Sequence, residues 1–225
     1  MLHLRLPGDP LQGLVVIEGL IGVGKTSLCR ILEREYAARL VPEPVDDNPF
    51  LARFYADPEH FALPTQLFYM AARYVQQQTI RQQDLFAPLI VSDYLFEKDR
   101  IFAEMTLRDH ELDLYRKLVG LLPDPLPRPD LVVFMDADTD VIYERIRRRG
   151  LGFEQKIPRS YLEGLRERYL ELWSTWERCP LLSLRTDQLN YVDSPEDRAW
   201  ILKTVQEALQ GKLPGSAGTL FTPRA

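Results

Sequence analysis

Gly19-Leu20-Ile21-Gly22-Val23-Gly24-Lys25-Thr26, followed by Ser27, is a stretch whose residue types and spacing can do chemistry on a polyphosphate. Glycines let backbone N–H groups turn inward around phosphate oxygens, Lys25 brings positive charge to the terminal groups, and the Thr26 hydroxyl can ligate Mg²⁺. The stretch follows the apolar run Leu14-Val15-Val16-Ile17 and opens a helical pattern carrying Leu28, Ile31 and Leu32. The helix therefore adds the positive end of its dipole. The full eight-residue pattern between a strand and a helix reads as a nucleoside triphosphate site rather than as a plain turn.

Four further places carry candidate chemistry. Glu43 stands between Pro42 and Pro44, which fix its backbone just past a short strand near Leu40-Val41. Open α/β sheets gather ligands at such strand ends, although position alone leaves a solvated loop glutamate equally open. Gln66 and Arg73 lie seven residues apart in a helical pattern from about Pro64 to Gln83, on one stripe that either reads a ligand or faces solvent. Asp93 emerges from the strand Leu89-Ile90-Val91, placed to hold Mg²⁺ directly or through water, or to cap the next helix. Arg145, Arg147, Arg148 and Arg149 close a helix that begins near Val141 after a cap at Asp138 or Thr139. Beside an anionic nucleotide they suggest a flap over the transferring phosphate, and their other reading is the ordinary preference of cations for a helix C-terminus.

These residues need a frame. The apolar runs 14–17, 40–41, 89–91, 131–135 and 181–184 read as five strands, with the continuous run Leu131-Val132-Val133-Phe134-Met135 typical of a strand covered on both faces. Helical patterns separate them, from the phosphate loop to about 39 and at about 48–55, 64–83, 96–122, 141–149, 159–178 and 195–209, which implies an α/β fold with a parallel, doubly wound sheet. Residues 1–12 read as a lead-in, 123–129 as a proline-rich loop, 150–158 as a mobile link and 211–225 as a loosely held C-terminal tail.

The chain has 225 residues, 45% hydrophobic and 27% charged, which suits one α/β domain. With 28 basic against 33 acidic side chains its net charge is −5, so the expected partner is a small molecule, with no nucleic acid and no membrane. The start lacks a signal peptide's apolar core, and the expected location is cytoplasmic. Cys29 and Cys179 are far apart and read as buried thiols, and the scattered His3, His60 and His110 are assigned no chemistry.

Several segments together resemble the deoxynucleoside kinase family over residues 13–210: Ile17-Glu18-Gly19 leading into the phosphate loop, Pro42-Glu43-Pro44, Phe54-Tyr55-Ala56-Asp57-Pro58, Gln66 with Arg73, and Glu154-Gln155-Lys156-Ile157-Pro158 after an arginine-rich helix. The resemblance implies transfer of the γ-phosphate of ATP, or another triphosphate, to the 5′-hydroxyl of a deoxyribonucleoside with Mg²⁺. It also implies a five-stranded parallel sheet in the order 2-3-1-4-5, one kinase domain over 1–210 with a lid at about 145–157, and a homodimer. Carried over by position, Glu43 is the general base, Tyr55 and Glu154 bind the sugar 3′-hydroxyl, and Gln66, Arg73 and Asp99 read the base. Arg145 and Arg149 are lid arginines, while Lys25, Thr26 and Asp93 serve the phosphate and the metal. The base-reading set is similar to members accepting deoxyadenosine, deoxyguanosine or deoxycytidine, and leans to a purine. The chain departs from the family at Asp93-Tyr94-Leu95, where an acidic residue is often followed by Arg-Ser, so Lys98, Arg100 or a lid arginine is expected to take that arginine's place. A second departure is Leu151, which stands at another common lid arginine, with Arg147 or Arg148 as possible replacements. The rival readings are a nucleoside monophosphate kinase of the thymidylate type and a nucleotide-binding regulatory module.

Overall fold

Apolar runs without alternation need cover on both faces, and each of the five expected runs becomes a parallel strand. In the computed structural model, which describes residues 11–44, 48–82, 88–123, 127–150, 154–212 and 220–221, the strands are β1 (Gly13–Gly19), β2 (Arg39–Val41), β3 (Leu89–Ser92), β4 (Leu131–Asp136) and β5 (Leu181–Arg185). The sheet order is β2-β3-β1-β4-β5, extended at its edge by β6 (Leu220–Phe221). The five expected strands stand in the expected order 2-3-1-4-5, and the two-residue β6, within the stretch 211–225 read as a tail, adds to their edge. Residues 220 and 221 pair in parallel with Ser183 and Leu184, so the free backbone groups along the edge of β5 find partners.

Register decides where chemistry can sit. Val16 lies opposite Ser92, and Gly19 lies opposite Met135, so the loops leaving β1, β3 and β4 emerge together at one edge of the sheet. The helices are α1 (Lys25–Tyr36), α2 (Leu51–Ala56), α3 (Pro58–Gln82), α4 (Lys98–Thr106), α5 (Asp109–Gly120), α6 (Thr139–Arg149), α7 (Arg159–Ser174) and α8 (Pro195–Leu209). Helix α3 begins two turns before its expected start at Pro64. Pro58 occupies a first-turn position, where no N–H partner is needed, and Pro64 is carried inside the helix. The single expected stretch 96–122 divides at Leu107, whose extended backbone (φ −91°, ψ 144°) ends α4. Glu111 then accepts the Arg108 N–H at 3.1 Å and starts α5. Helix α6 has Asp138 at its cap position with no side-chain cap bond.

The core runs through the sheet, with Ile17, Leu28, Val133 and Leu184 fully buried. Phe134 of β4 stacks into an aromatic group with Tyr169 and Trp173 of α7, at centroid distances of 5.7 and 5.5 Å, which fixes α7 across the strand ends. A second cluster of Phe54, Ala62, Met70, Ala103 and Tyr115 holds α2 to α5 as one body beside the sheet. Cys29 is buried as expected, whereas Cys179 is only half-buried, because it lies in the short loop that precedes β5. Tyr74 of α3 reaches across to donate to the Pro123 carbonyl at 3.3 Å.

Candidate active site

The phosphate loop closes between β1 and α1 because glycine is required there. Gly19 has φ 147°, and a Cβ on it would stand 2.3 Å from the Met135 carbonyl oxygen. Gly24 has φ 111°, and a Cβ there would meet the Tyr191 hydroxyl at 2.1 Å. Leu20 and Val23 are fully buried, so they anchor the loop and offer only backbone, while Ile21, Gly22, Thr26 and Ser27 remain accessible. Lys25 Nζ donates to the carbonyls of Gly19 (2.8 Å) and Leu20 (3.1 Å). Burial lowers its pKa, and the charge of Lys98 lowers it further.

Outside the loop lies a cavity of about 1050 Å³, walled by Gly22 to Ser27 on one side, by Arg30, Arg145, Arg148 and Arg149 on another, and by Asp187 and the segment 189–193 on a third. An ion-pair set fixes that third wall. Buried Asp136 at the end of β4 accepts Arg166 at 2.8 and 2.6 Å and Arg185 at 3.3 Å, and Arg185 also holds Asp187 at 2.8 Å. Of the two expected lid arginines, Arg145 is tied down. Its guanidinium donates to Val23 O and Thr186 Oγ1, each at 3.0 Å, and to Thr186 O, latching the phosphate loop to the segment after β5. Arg149 stays exposed at the cavity and pairs with Glu154 at 3.3 Å. Arg147 and Arg148 are exposed, and Leu151 lies outside the described residues.

Asp93 joins the two halves of the site. Its Oδ2 accepts the Thr26 hydroxyl at 3.1 Å, and its Oδ1 accepts the Glu43 N–H at 2.6 Å. A carboxylate and a hydroxyl side by side at a phosphate loop suit Mg²⁺, which takes one or two protein oxygens and completes its shell with phosphate and water. The Glu43 backbone is held from behind as well. Gln76 donates to Pro42 O at 2.9 Å while its Oε1 accepts the Tyr94 hydroxyl at 2.6 Å. Tyr94, where an arginine is common in the resembling family, is thus a buried support.

The acceptor side is a buried charge network. Arg73 of α3 pairs with Glu43 through one terminal nitrogen and with Asp99 through the other, above the rings of Tyr69 at 4.7 Å and Tyr94 at 5.8 Å. Lys98, at the start of α4, donates to Glu43 Oε2 at 2.9 Å and stands 4.0 Å from Glu18 Oε1. Burial would raise the Glu43 pKa, but Lys98 and then Arg73 more than offset it and bring it down to about 2. Gln66 and Arg73 are buried at 2% and 3% exposure, which removes the solvent-facing alternative for that stripe. Gln66 Nε2 donates to Thr106 Oγ1 at 3.2 Å, and the Thr106 hydroxyl donates to Phe102 O at 2.7 Å. Gln66 Oε1, Arg73 Nε and Asp99 Oδ2 are left buried without hydrogen-bond partners among the described residues. Glu154 is also buried, its pKa raised by burial against the opposing charges of Arg149 and Lys25. The Tyr55 pKa is raised by burial and then by the charges of Glu154 and Glu43.

Sequence reasoning passed over Glu18, whose Oε1 accepts Leu95 N–H at 2.8 Å and whose Oε2 accepts Gly19 N–H at 2.9 Å and the Tyr169 hydroxyl at 2.8 Å. The signal for it was a carboxylate inside an apolar strand, a residue that must be paired when buried. Thr106, Gln76 and Tyr191 were missed too, and no local pattern marks them.

Comparison with known proteins identifies the family. The family model for deoxynucleoside kinases matches residues 15–210. The chain is 34% identical over 200 residues to the deoxyguanosine kinase of Bacillus subtilis (strain 168), covering 87% of this chain and 97% of that one. It is 31% identical over 220 residues to the deoxyadenosine kinase of Dictyostelium discoideum, covering 93% and 88%. In three dimensions it is similar to the deoxyadenosine kinase from M. mycoides solved with dCMP and dCDP, at a TM-score of 0.74 and 20% identity, covering 86% of this chain and 99% of that one. A phosphate loop facing a fixed carboxylate and the match along nearly the whole fold lead to one assignment: the chain belongs to the deoxynucleoside kinase family.

Proposed function

We propose that this kinase moves the γ-phosphate of ATP to the 5′-hydroxyl of a purine deoxyribonucleoside, in nucleotide salvage. The observation that carries the reading is the junction at Asp93, one carboxylate that touches both Thr26 of the phosphate loop and the backbone of Glu43. Donor and acceptor halves are thereby set at a fixed separation, and in phosphoryl transfer positioning and charge stabilisation supply most of the rate. Glu43 accepts the 5′-hydroxyl proton as the oxygen attacks phosphorus. Its low pKa keeps it ionised at neutral pH. Lys25 and the backbone of Gly22 to Thr26 receive the donor phosphates, with Arg149 at the cavity rim. Mg²⁺ held by Thr26 and Asp93 would neutralise phosphate charge. Tyr55 and Glu154 bind the 3′-hydroxyl.

The base-reading set supports a purine. Thr106 spends its proton on Phe102, so it takes the Gln66 amide as donor and turns Oε1 inward as an acceptor. Two unpartnered acceptors, Gln66 Oε1 and Asp99 Oδ2, beside one unpartnered donor, Arg73 Nε, suit guanine, which offers N1–H and an amino group beside O6. The deoxyguanosine kinase relative agrees in direction. A monophosphate acceptor fits less well, because Arg73 and Lys98 are already paired and the incoming phosphate would meet Glu43. No helix among the described residues is long and apolar enough to cross a membrane. The cytoplasm and a homodimer complete the reading, the latter supported by the exposed apolar side chains Val75 and Leu114 on the neighbouring helices α3 and α5.

The test is labelled phosphate transfer from ATP with Mg²⁺ to each of the four deoxynucleosides and to their monophosphates. The expected result is product from deoxyguanosine or deoxyadenosine. Product from a monophosphate alone moves the assignment to the rival kinase, and ATP hydrolysis without transfer moves it to the regulatory module.

A further inference from the structure

The cations expected to meet the transferring phosphate from the acceptor side are separated by the structure. Arg100 is exposed and lies 3.7 Å from Glu104 on the outer face of α4. Arg145 is engaged by Val23 and Thr186. Lys98 is 4% exposed and sits between the two carboxylates that border the transfer point.

A buried ammonium is costly, and this one is shared between two carboxylates, Glu43 at 2.9 Å and Glu18 at 4.0 Å, while Arg73 also pairs with Glu43 from α3. The position of Lys98 relative to the phosphate loop gives it another use. Glu18, 4.0 Å from the ammonium, holds the Gly19 N–H, and Lys25 Nζ lies 2.8 Å from the carbonyl of the same Gly19. Two ammonium groups therefore converge on the root of the phosphate loop, one from α1 and one from α4. Their mutual repulsion is relieved when an anion enters between them. Lys98 has three N–H donors and uses one at 2.9 Å, which leaves capacity for a phosphoryl oxygen.

We propose that Lys98 is a catalytic residue that contacts the transferring phosphoryl group, an assignment that rests on the phosphotransferase reading above. Before attack its ammonium holds Glu43. During transfer the 5′-oxygen bonds to the γ-phosphorus, the bond from that phosphorus to the β,γ-bridging oxygen breaks with its electron pair leaving on ADP, and the 5′-hydroxyl proton passes to Glu43. Glu43 is then neutral, and Lys98, still protonated, turns its charge to the phosphoryl oxygens. The charge that Glu43 loses appears on the β-phosphate of ADP, and the transferred group carries two negative charges before and after the step, so the ammonium has an anionic neighbour throughout.

The experiment measures kcat, the nucleoside KM and ATP affinity for Lys98→Met, Lys98→Arg, Glu43→Gln and the double variant Glu43→Gln/Lys98→Met. Lys98→Met is expected to lower kcat by about 100- to 1000-fold, as for loss of one oxyanion donor, with ATP affinity within about threefold. Lys98→Arg is expected to recover at least about tenfold of that loss.

The double variant separates phosphoryl contact from mere support of Glu43. A contact predicts that Lys98→Met lowers kcat at least about tenfold further in the Glu43→Gln background. A double variant no slower than Glu43→Gln alone overturns the proposal, as does Lys98→Met with parental kcat. If Lys98→Met fails to fold, Lys98→Gln carries the test, and parental kcat in the glutamine variant overturns the proposal. Absence of transfer by the parent protein to every nucleoside would instead overturn the phosphotransferase reading.

Discussion

Glu43→Gln tests the acceptor site most directly, because the structure fixes what the substitution leaves behind. The parent carboxylate receives Arg73 on Oε1 and Lys98 on Oε2. A glutamine keeps an acceptor for one of them but presents N–H groups to the other. If the carbonyl stays with Arg73, Lys98 is left with Glu18 at 4.0 Å. Breaking a buried ion pair from one side costs about 3 to 5 kcal/mol, and the lower end applies here because Arg73 keeps Asp99. For a chain of this size about 3 kcal/mol corresponds to a melting point about 6 to 12 °C lower. Turnover is expected to fall about 100- to 10,000-fold, the contribution of a positioned general base.

Donor affinity should move little, since the loop contacts of Lys25 and Thr26 do not involve the Glu43 side chain. The assay is labelled phosphate transfer well below the variant's melting point, with ATP affinity by calorimetry and stability by differential scanning. Turnover within tenfold of the parent would remove Glu43 as the base. A large loss of ATP affinity would show that the two halves are not separable in the way the Asp93 junction implies.

Other consequences can be checked alongside it. The Glu43 pKa is about 2 in the folded protein against 4.5 ordinarily, so its ionisation contributes about 3 kcal/mol of stability above pH 4.5 that is lost as pH falls toward 2. Denaturant titrations should accordingly show the parent's advantage over Glu43→Gln shrinking through that window, and a constant gap refutes it. Arg145→Met should raise the KM for ATP about 10- to 100-fold with a smaller change in kcat, because the guanidinium holds the loop backbone at Val23. A loss confined to kcat would return Arg145 to the transferring phosphate. Gly24→Ala should impair ATP binding and stability together, and Tyr191→Phe should not rescue it, since φ is 111° at Gly24. Thr106→Val should release the Gln66 amide and bring deoxyguanosine and deoxyadenosine about tenfold closer in kcat/KM, and an unchanged ratio would leave Thr106 without a part in base reading.

The parts of this site legible in the sequence are those set by local rules. The phosphate loop reads from eight consecutive residues, and the stripe of Gln66 and Arg73 reads from helical spacing. Spacing gives a shared face but says nothing of what covers it, so solvent, the usual case for a lone Gln and Arg, and ligand both stay open until α4 and Tyr69 close over Arg73. Arg145 shows the converse difficulty. An arginine beside a nucleotide suggests phosphate, whereas its partners, Val23 in the phosphate loop and Thr186 after β5, are distant segments that only the fold brings together. Glu18 and Lys98 pair across the same kind of separation. The two-residue β6 is too short for any periodicity to mark.

Charge balance ties the readable and unreadable parts together. Around the transfer point Glu18, Glu43, Asp93 and Asp99 face Lys25, Arg73 and Lys98, which leaves one negative charge in excess before any substrate arrives. A triphosphate entering that cluster has to bring or find further positive charge. Arg30, Arg148 and Arg149 on the cavity wall supply part of it, and in the proposed reading a divalent cation held by Thr26 and Asp93 would supply the rest. The acceptor half needs no such help, because a nucleoside is neutral. The arginine-rich end of α6 and the carboxylate-rich ends of β1 and β3 are therefore two sides of one requirement. The anionic donor is met by exposed cations that can adjust to it, and the neutral acceptor is met by buried ion pairs that hold their geometry before it comes.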